Sequence, residues 1–179
     1  LYAVMLASAN EACNGVADHI AGSIDAFVGK MNEKAQSLGC KNTHFANTNG
    51  LWKKDHYTTA YDMALIGRAA IQNKDFKEIT GTRLFIMSKT NKRKAGYPLA
   101  CHHKMLNPGD YPQYEYEYCE GGKTGYTSKC RNTLVTFAKK GNMELVCVIL
   151  KCDNSVWLEP NAYTDTTRLF NYCFANYEK

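Results

Sequence analysis

The first third of the chain places its apolar residues at a helical period. Residues 1–7 are apolar and helix-compatible and run into Ser8-Ala9-Asn10. From Glu11 to Ile20, Ala12, Val16, Ala17 and Ile20 recur at three- and four-residue steps, which predicts a second helix. Ser23 is placed to cap a third helix, whose one face carries Ile24, Phe27, Val28, Met31, Ala35 and Leu38 and which Gly39 is placed to end. The stretch 40–57, with its asparagines, Gly50 and Trp52, reads as loop. Thr59 with Asp62 three residues on reads as a capping pair, before a helix with Met63, Ile66, Ala70 and Ile71 as its stripe.

The second half changes period. Arg83–Thr90 predicts a strand, and the polar, Gly- and Pro-punctuated run from Lys92 to Gln113 reads as a surface excursion. Tyr114, Tyr116 and Tyr118 alternate with Glu115 and Glu117, the pattern of a strand with one aromatic and one charged face. Thr133–Ala138 and Glu144–Lys151 predict two strands joined at Lys140-Gly141-Asn142 as a hairpin. A last helix is predicted from Asn161 to Tyr177, carrying Leu169, Phe170, Cys173 and Phe174. Helices, then strands, then a closing helix predict an α+β fold, an α/β sandwich of an antiparallel sheet with helices packed on it.

At 179 residues the chain fits one domain with a real core, and 45% hydrophobic against 22% charged residues argues against disorder. The net charge of +5 is spread along the chain apart from a cluster at Lys89, Lys92, Arg93 and Lys94. That is too sparse for a nucleic-acid stripe, and no nucleic-acid partner is expected; a basic cleft for an anionic substrate fits it as well. No apolar run approaches the roughly eighteen residues of a membrane span. The eight cysteines have no two-residue spacing, so zinc knuckles and redox motifs are not predicted, and most read as small buried hydrophobes. Adjacent His102 and His103 point apart in an extended segment, so a two-histidine metal site is not expected. The chain opens on Leu1-Tyr2-Ala3-Val4, inside a helical pattern and without a basic leader, which predicts an upstream portion.

Two tripeptides carry candidate chemistry. Ser8-Ala9-Asn10 sits between two predicted helices, and Lys123-Thr124-Gly125 sits in a strand before a hairpin. Either alone is weak. Around them lie Leu6–Ala12, Met31-Asn32-Glu33-Lys34-Ala35 with Leu38-Gly39, and Phe45-Ala46-Asn47 with Asn49-Gly50-Leu51. His56–Ala64, Gly122–Thr127 and a terminal Arg168-Leu169-Phe170 follow. In this order the runs resemble the serine D-alanyl-D-alanine carboxypeptidases, the low-molecular-mass penicillin-binding proteins, over nearly the whole chain.

That resemblance implies a beta-lactamase/transpeptidase-like fold and release of D-alanine from peptidoglycan stem peptides through an acyl-enzyme, with beta-lactams acylating the same site. Lys123 and Thr124 would hold the substrate's terminal carboxylate on a strand edge, and side-chain-free Gly125 would let substrate backbone lie close. Ser8 would relay a proton to the leaving amine, Asn10 would orient a lysine and the substrate amide, and the Tyr126 N–H would supply half of an oxyanion hole. It also implies a bacterial cell-envelope location and calls for no metal or organic cofactor.

The nucleophile is missing. None of the six serines is followed three residues later by lysine, so no Ser-x-x-Lys turn is present. In the family that motif precedes the Ser-x-Asn segment. Residues 1–179 are therefore expected to be a partial catalytic domain without its first strands and nucleophile helix, unable to fold without an upstream fragment or another copy. Two rivals are a beta-lactamase, disfavoured because no Glu-x-x-Leu-Asn segment occurs, and a non-catalytic penicillin- or peptidoglycan-binding homologue.

Overall fold

The computed structural model describes residues 1–153 and 161–177. The helical part comprises α1 (Tyr2–Met5), α2 (Asn10–Ala21), α3 (Ile24–Ser37), α4 (Ala60–Ala70) and α5 (Lys74–Gly81). Ser23 caps α3 by accepting the Ala26 N–H at 3.1 Å, and α3 gives way to Gly39 at φ +86°, both as the sequence predicts. Thr59 accepts the Asp62 N–H at 3.1 Å, but the expected return bond is not made. The buried Asp62 carboxylate instead accepts the Asn42 N–H at 2.7 Å and the Thr43 hydroxyl at 2.8 Å, tying loop 40–57 to α4. Asn32 braces the same loop from α3, donating to the Phe45 carbonyl at 2.8 Å and accepting its N–H at 2.7 Å.

Strands β3 (Cys119–Thr127), β4 (Arg131–Lys140) and β5 (Met143–Cys152) form an antiparallel sheet in that order, with Lys123 opposite Val135 and Thr124 opposite Leu134. The two-residue side-chain period splits β4 and β5 between two layers. Leu134, Ala138 and Cys147 face α6 (Asn161–Asn176) and pack on Ala162, Tyr163 and Phe170, the principal core. Phe137, the neighbour of Ala138, faces the other layer and meets Phe76 of α5 edge-on at 5.7 Å. α4 packs on β5 and α5 on β3, so the sheet lies between helices, the α+β sandwich expected.

A second sheet pairs β1 (Leu84–Met87) with β2 (Tyr97–Ala100). Its inner residues Phe85, Met87 and Leu99 join Cys101, Leu106 and Ile79 around Leu6, which is fully buried. Tyr2 stacks on Phe85 with centroids 3.9 Å apart.

Several expectations are corrected. The strand predicted over Arg83–Thr90 is the shorter β1, and the excursion from Lys92 to Gln113 contains β2 and a 3-10 turn (Lys104–Leu106). It buries Leu99, Cys101, His103, Met105 and Leu106, so polar punctuation there marks tight turns over a core rather than a surface loop. The tyrosine alternation is not a strand either. Pro112–Tyr114 is a 3-10 turn, and Tyr114 and Tyr116 are both buried against α6. α5, with its Asn73 cap accepting the Phe76 N–H at 3.0 Å, is a further helix, whose eight residues are too few to establish a helical period in the sequence. Only Cys101 and Cys147 of the eight cysteines are buried; the others are half-buried, and all are free.

Candidate active site

Ser8 and the Lys-Thr-Gly strand meet. Lys123 Nζ donates to Ser8 Oγ across 115 residues of sequence, and also to its neighbour's carbonyl, Thr124 O, at 2.8 Å. Ser8 sits in the link between α1 and α2 at φ +52°, a left-handed conformation that serine rarely adopts. The Ala9 N–H bonded to Ala3 O at 3.1 Å closes that link over α1. α1 is in turn fixed by the packing of Leu6 and Tyr2 against β1 and β2. An off-preference backbone held by surrounding packing is the pattern of a site whose geometry is set from outside.

β3 is placed by what lies beneath it. Gly122 is buried, and a Cβ there would stand 2.7 Å from His103 Nε2 and closer still to the Val135 carbonyl. His103 is itself buried, bonds Thr136 Oγ1 through Nε2 at 2.9 Å and meets the Tyr163 ring edge-on at 5.5 Å. The strand bearing Lys123 therefore lies directly on an imidazole floor. Burial, then the Lys123 charge, lowers the His103 pKa to about 3, so the ring is neutral at ordinary pH. Burial also lowers the Lys123 pKa, partly offset by the thiols of Cys101 and Cys13. A lysine so shifted exchanges its proton more readily with a bonded hydroxyl.

Thr124 and Gly125 continue β3, half-buried, beside Lys123. A Cβ at Gly125 would collide with Thr133 Oγ1 on β4, so the missing side chain is required by strand packing as well as by any ligand. Tyr126 is opposite Asn132 and is 70% exposed. Asn10 opens α2 and bonds neither Ser8 nor Lys123. His103, Gly122 and the half-buried Cys13, one helical turn beyond Asn10, were not singled out for this site by the sequence. Their relation to Lys123 is tertiary, and an isolated histidine or glycine carries no pattern. Among the described residues no cluster of three or more metal-ligating side chains occurs.

The family profile described as D-alanyl-D-alanine carboxypeptidase, peptidase S11, matches residues 1–154, which carry both motifs. The chain belongs to this family. It is 34% identical over 179 residues to the D-alanyl-D-alanine carboxypeptidase DacF of Bacillus subtilis, covering 99% of this chain and 42% of that protein. Against DacB2 of Mycobacterium tuberculosis it is 34% identical over 149 residues, covering 82% of this chain and 47% of the relative. A solved D-alanyl-D-alanine carboxypeptidase from Mycobacterium tuberculosis H37Rv superposes with a TM-score of 0.85 at 30% identity, over all of this chain and 64% of that one. The chain thus spans about two fifths to one half of these curated relatives. The carboxypeptidase fold accounts for the antiparallel sheet between helices, in which the α1–α2 link carries Ser8-Ala9-Asn10 and β3 carries Lys123-Thr124-Gly125.

Proposed function

We propose that residues 1–179 are part of the catalytic domain of a serine-type D-Ala-D-Ala carboxypeptidase that removes the terminal D-alanine from peptidoglycan stem peptides. The observation that carries this reading is the Lys123–Ser8 hydrogen bond, which supports a proton relay between the segments that resemble the family's second and third motifs.

In the proposed reaction, a serine hydroxyl supplied from outside this chain attacks the penultimate D-alanine carbonyl and loses its proton to a neighbouring lysine. The carbonyl oxygen becomes an oxyanion held by the Tyr126 N–H and the nucleophile's own N–H. Ser8 passes a proton to the leaving D-alanine amine and is resupplied through its bond with Lys123. Two of the three Lys123 donors point at Ser8 and Thr124 O, so its third N–H and the Thr124 hydroxyl are the groups for the substrate carboxylate. Asn10 orients the catalytic lysine and the substrate amide. Water then cleaves the acyl-serine. A beta-lactam acylates the same serine, and no step calls for a metal or cofactor. Substrate and location follow together: stem peptides ending in D-Ala-D-Ala lie outside the cytoplasmic membrane, in the bacterial cell envelope.

The nucleophile's segment is also the proposed partner of β5. That strand pairs only with β4 among the described residues, and Leu145–Leu150 is an uninterrupted apolar run along an open edge. Apolar open edges invite a further strand, from an upstream fragment or from another copy.

The test of function is D-alanine release by the full-length protein and its Lys123→Ala variant. Loss of a bound proton-transfer group predicts a fall of roughly 10²–10⁴-fold in kcat/KM. Unchanged turnover would overturn the role given to Lys123. A full-length protein that releases no D-alanine and has another residue in place of the Ser-x-x-Lys serine would favour the binding homologue instead.

A further inference from the structure

The β1–β2 hairpin is apolar on both faces. Its inner residues Phe85, Met87 and Leu99 pack toward α1. Its register sets Leu84 opposite Ala100 and Ile86 opposite Pro98 on the outer face, and all four are exposed, Leu84 by 56% and Ile86 by 57%. A two-stranded sheet with one face in water normally alternates apolar with polar residues. Here the alternation is absent.

The hairpin is also strongly basic. From Arg83 through Gly109 the sequence contains no Asp or Glu, while Arg83, Lys89, Lys92, Arg93, Lys94 and Lys104 fall within that stretch. At the tip, Thr90 Oγ1 accepts the N–H groups of Lys92 and Arg93 at 3.2 and 3.1 Å. The Arg93 guanidinium lies 4.1 Å from the Tyr97 ring centre. Among the described residues none of the four tip cations makes an ion pair.

A soluble polyanion would engage the cations and leave Leu84 and Ile86 in water. An apolar protein partner would bury the side chains and leave four like charges unmatched. An anionic bilayer surface answers both features: the apolar side chains enter the interface and the cations sit among the headgroups. We infer that the outer face of the β1–β2 hairpin docks on an anionic phospholipid surface. The open strand edges of a two-stranded sheet cannot be buried in hydrocarbon, so the hairpin lies in the interfacial layer and does not insert further. The inference rests on the proposed cell-envelope location and on the upstream segment leaving this face uncovered, so hairpin amides in the full-length protein that are already protected without vesicles would overturn it.

The experiment is hydrogen exchange by mass spectrometry on the full-length protein with vesicles of phosphatidylcholine alone or mixed with phosphatidylglycerol. Localised readout matters because any anchor elsewhere in the full protein leaves the hairpin peptide's own protection visible. Residues 84–100 are expected to gain protection only with the anionic vesicles, and to lose it at high salt. Each cation near an anionic surface contributes about fivefold in partition, so Lys92→Glu with Arg93→Glu should reduce hairpin binding by roughly twentyfold or more. Leu84→Thr with Ile86→Thr keeps strand propensity and should weaken binding several-fold, with covalent penicillin uptake unchanged as the check on folding. No protection of the hairpin by anionic vesicles, or equal protection by neutral ones, would overturn the inference. So would equal protection by polyphosphate with the threonine variant still bound, which would identify a polyanion surface instead.

Discussion

Replacing Gly122 with alanine tests the idea that the Lys123 strand is seated on His103. The new Cβ would stand 2.7 Å from both Cδ2 and Nε2 of the imidazole, where ordinary contact begins near 3.4 Å, and nearer still to the Val135 carbonyl. The ring must retreat by about 0.7 Å, yet it is held by its 2.9 Å bond to Thr136 and by the Tyr163 ring. The carbonyl belongs to the paired strand β4 and has even less freedom. Overpacking against such rigid neighbours costs about 1–3 kcal/mol, and a strained ladder hydrogen bond about 1 more. A total of about 2–4 kcal/mol corresponds to a loss on the order of 5–10 °C in Tm for a domain of this size class. Because β3 must shift, Lys123 moves relative to Ser8, and a displacement near 1 Å costs about 100-fold in acylation. Melting curves and stopped-flow acylation by a fluorescent penicillin, both on the full-length protein, read the two effects. Gly15→Ala is the control: it lies on the exposed side of α2 with nothing within 4 Å of the added methyl, and should stabilise slightly, by about 0.5–1 kcal/mol. A Gly122→Ala protein melting with the wild type and acylating at the same rate would refute the seating argument.

Two further outcomes follow from the same structure. His103 has a folded pKa of about 3 against an ordinary value of 6.5, so the unfolded chain takes up its proton first. Stability is then fully present above about pH 6.5 and declines as pH falls toward 3, by up to about 1.4 kcal/mol per unit from this group. His103→Asn should flatten that decline, and denaturant midpoints across this range that fall with equal slope in both proteins would refute it. For the open edge of β5, residues 1–179 expressed alone should associate or precipitate and should become monodisperse when the upstream segment is co-expressed. A monomeric 1–179 with a cooperative melt and no other polypeptide present would overturn the partner proposal.

The sequence by itself determined the long amphipathic elements, the helix caps, the terminal hairpin and the order of the two motifs. Ser23, Gly39 and Thr59 work through backbone groups a few residues away, so their effect is visible in a short window. The strand-forming apolar runs of β4 and β5 are equally local, since side-chain alternation reports two buried faces directly. The family likeness adds what a motif's order along the chain means, but not how close its parts come.

Tertiary structure decided the rest. Nothing local tells Tyr114-Glu115-Tyr116 that α6 will cover both tyrosines, so a pattern that alternates like a strand became a 3-10 turn and a buried aromatic bend. The stretch after Lys92 looks polar in sequence, yet Leu99, Cys101 and His103 are buried because α1 and β3 close over them. The site itself belongs to this second class. Ser8 and Lys123 are 115 residues apart, and their hydrogen bond exists because packing against β1 and β2 holds the α1–α2 link in a conformation serine does not choose unaided. Opposite it, a glycine and a buried imidazole set the height of the strand. Chemistry by residue type was legible in the chain, whereas the distances between the reacting groups were set by the core beneath them.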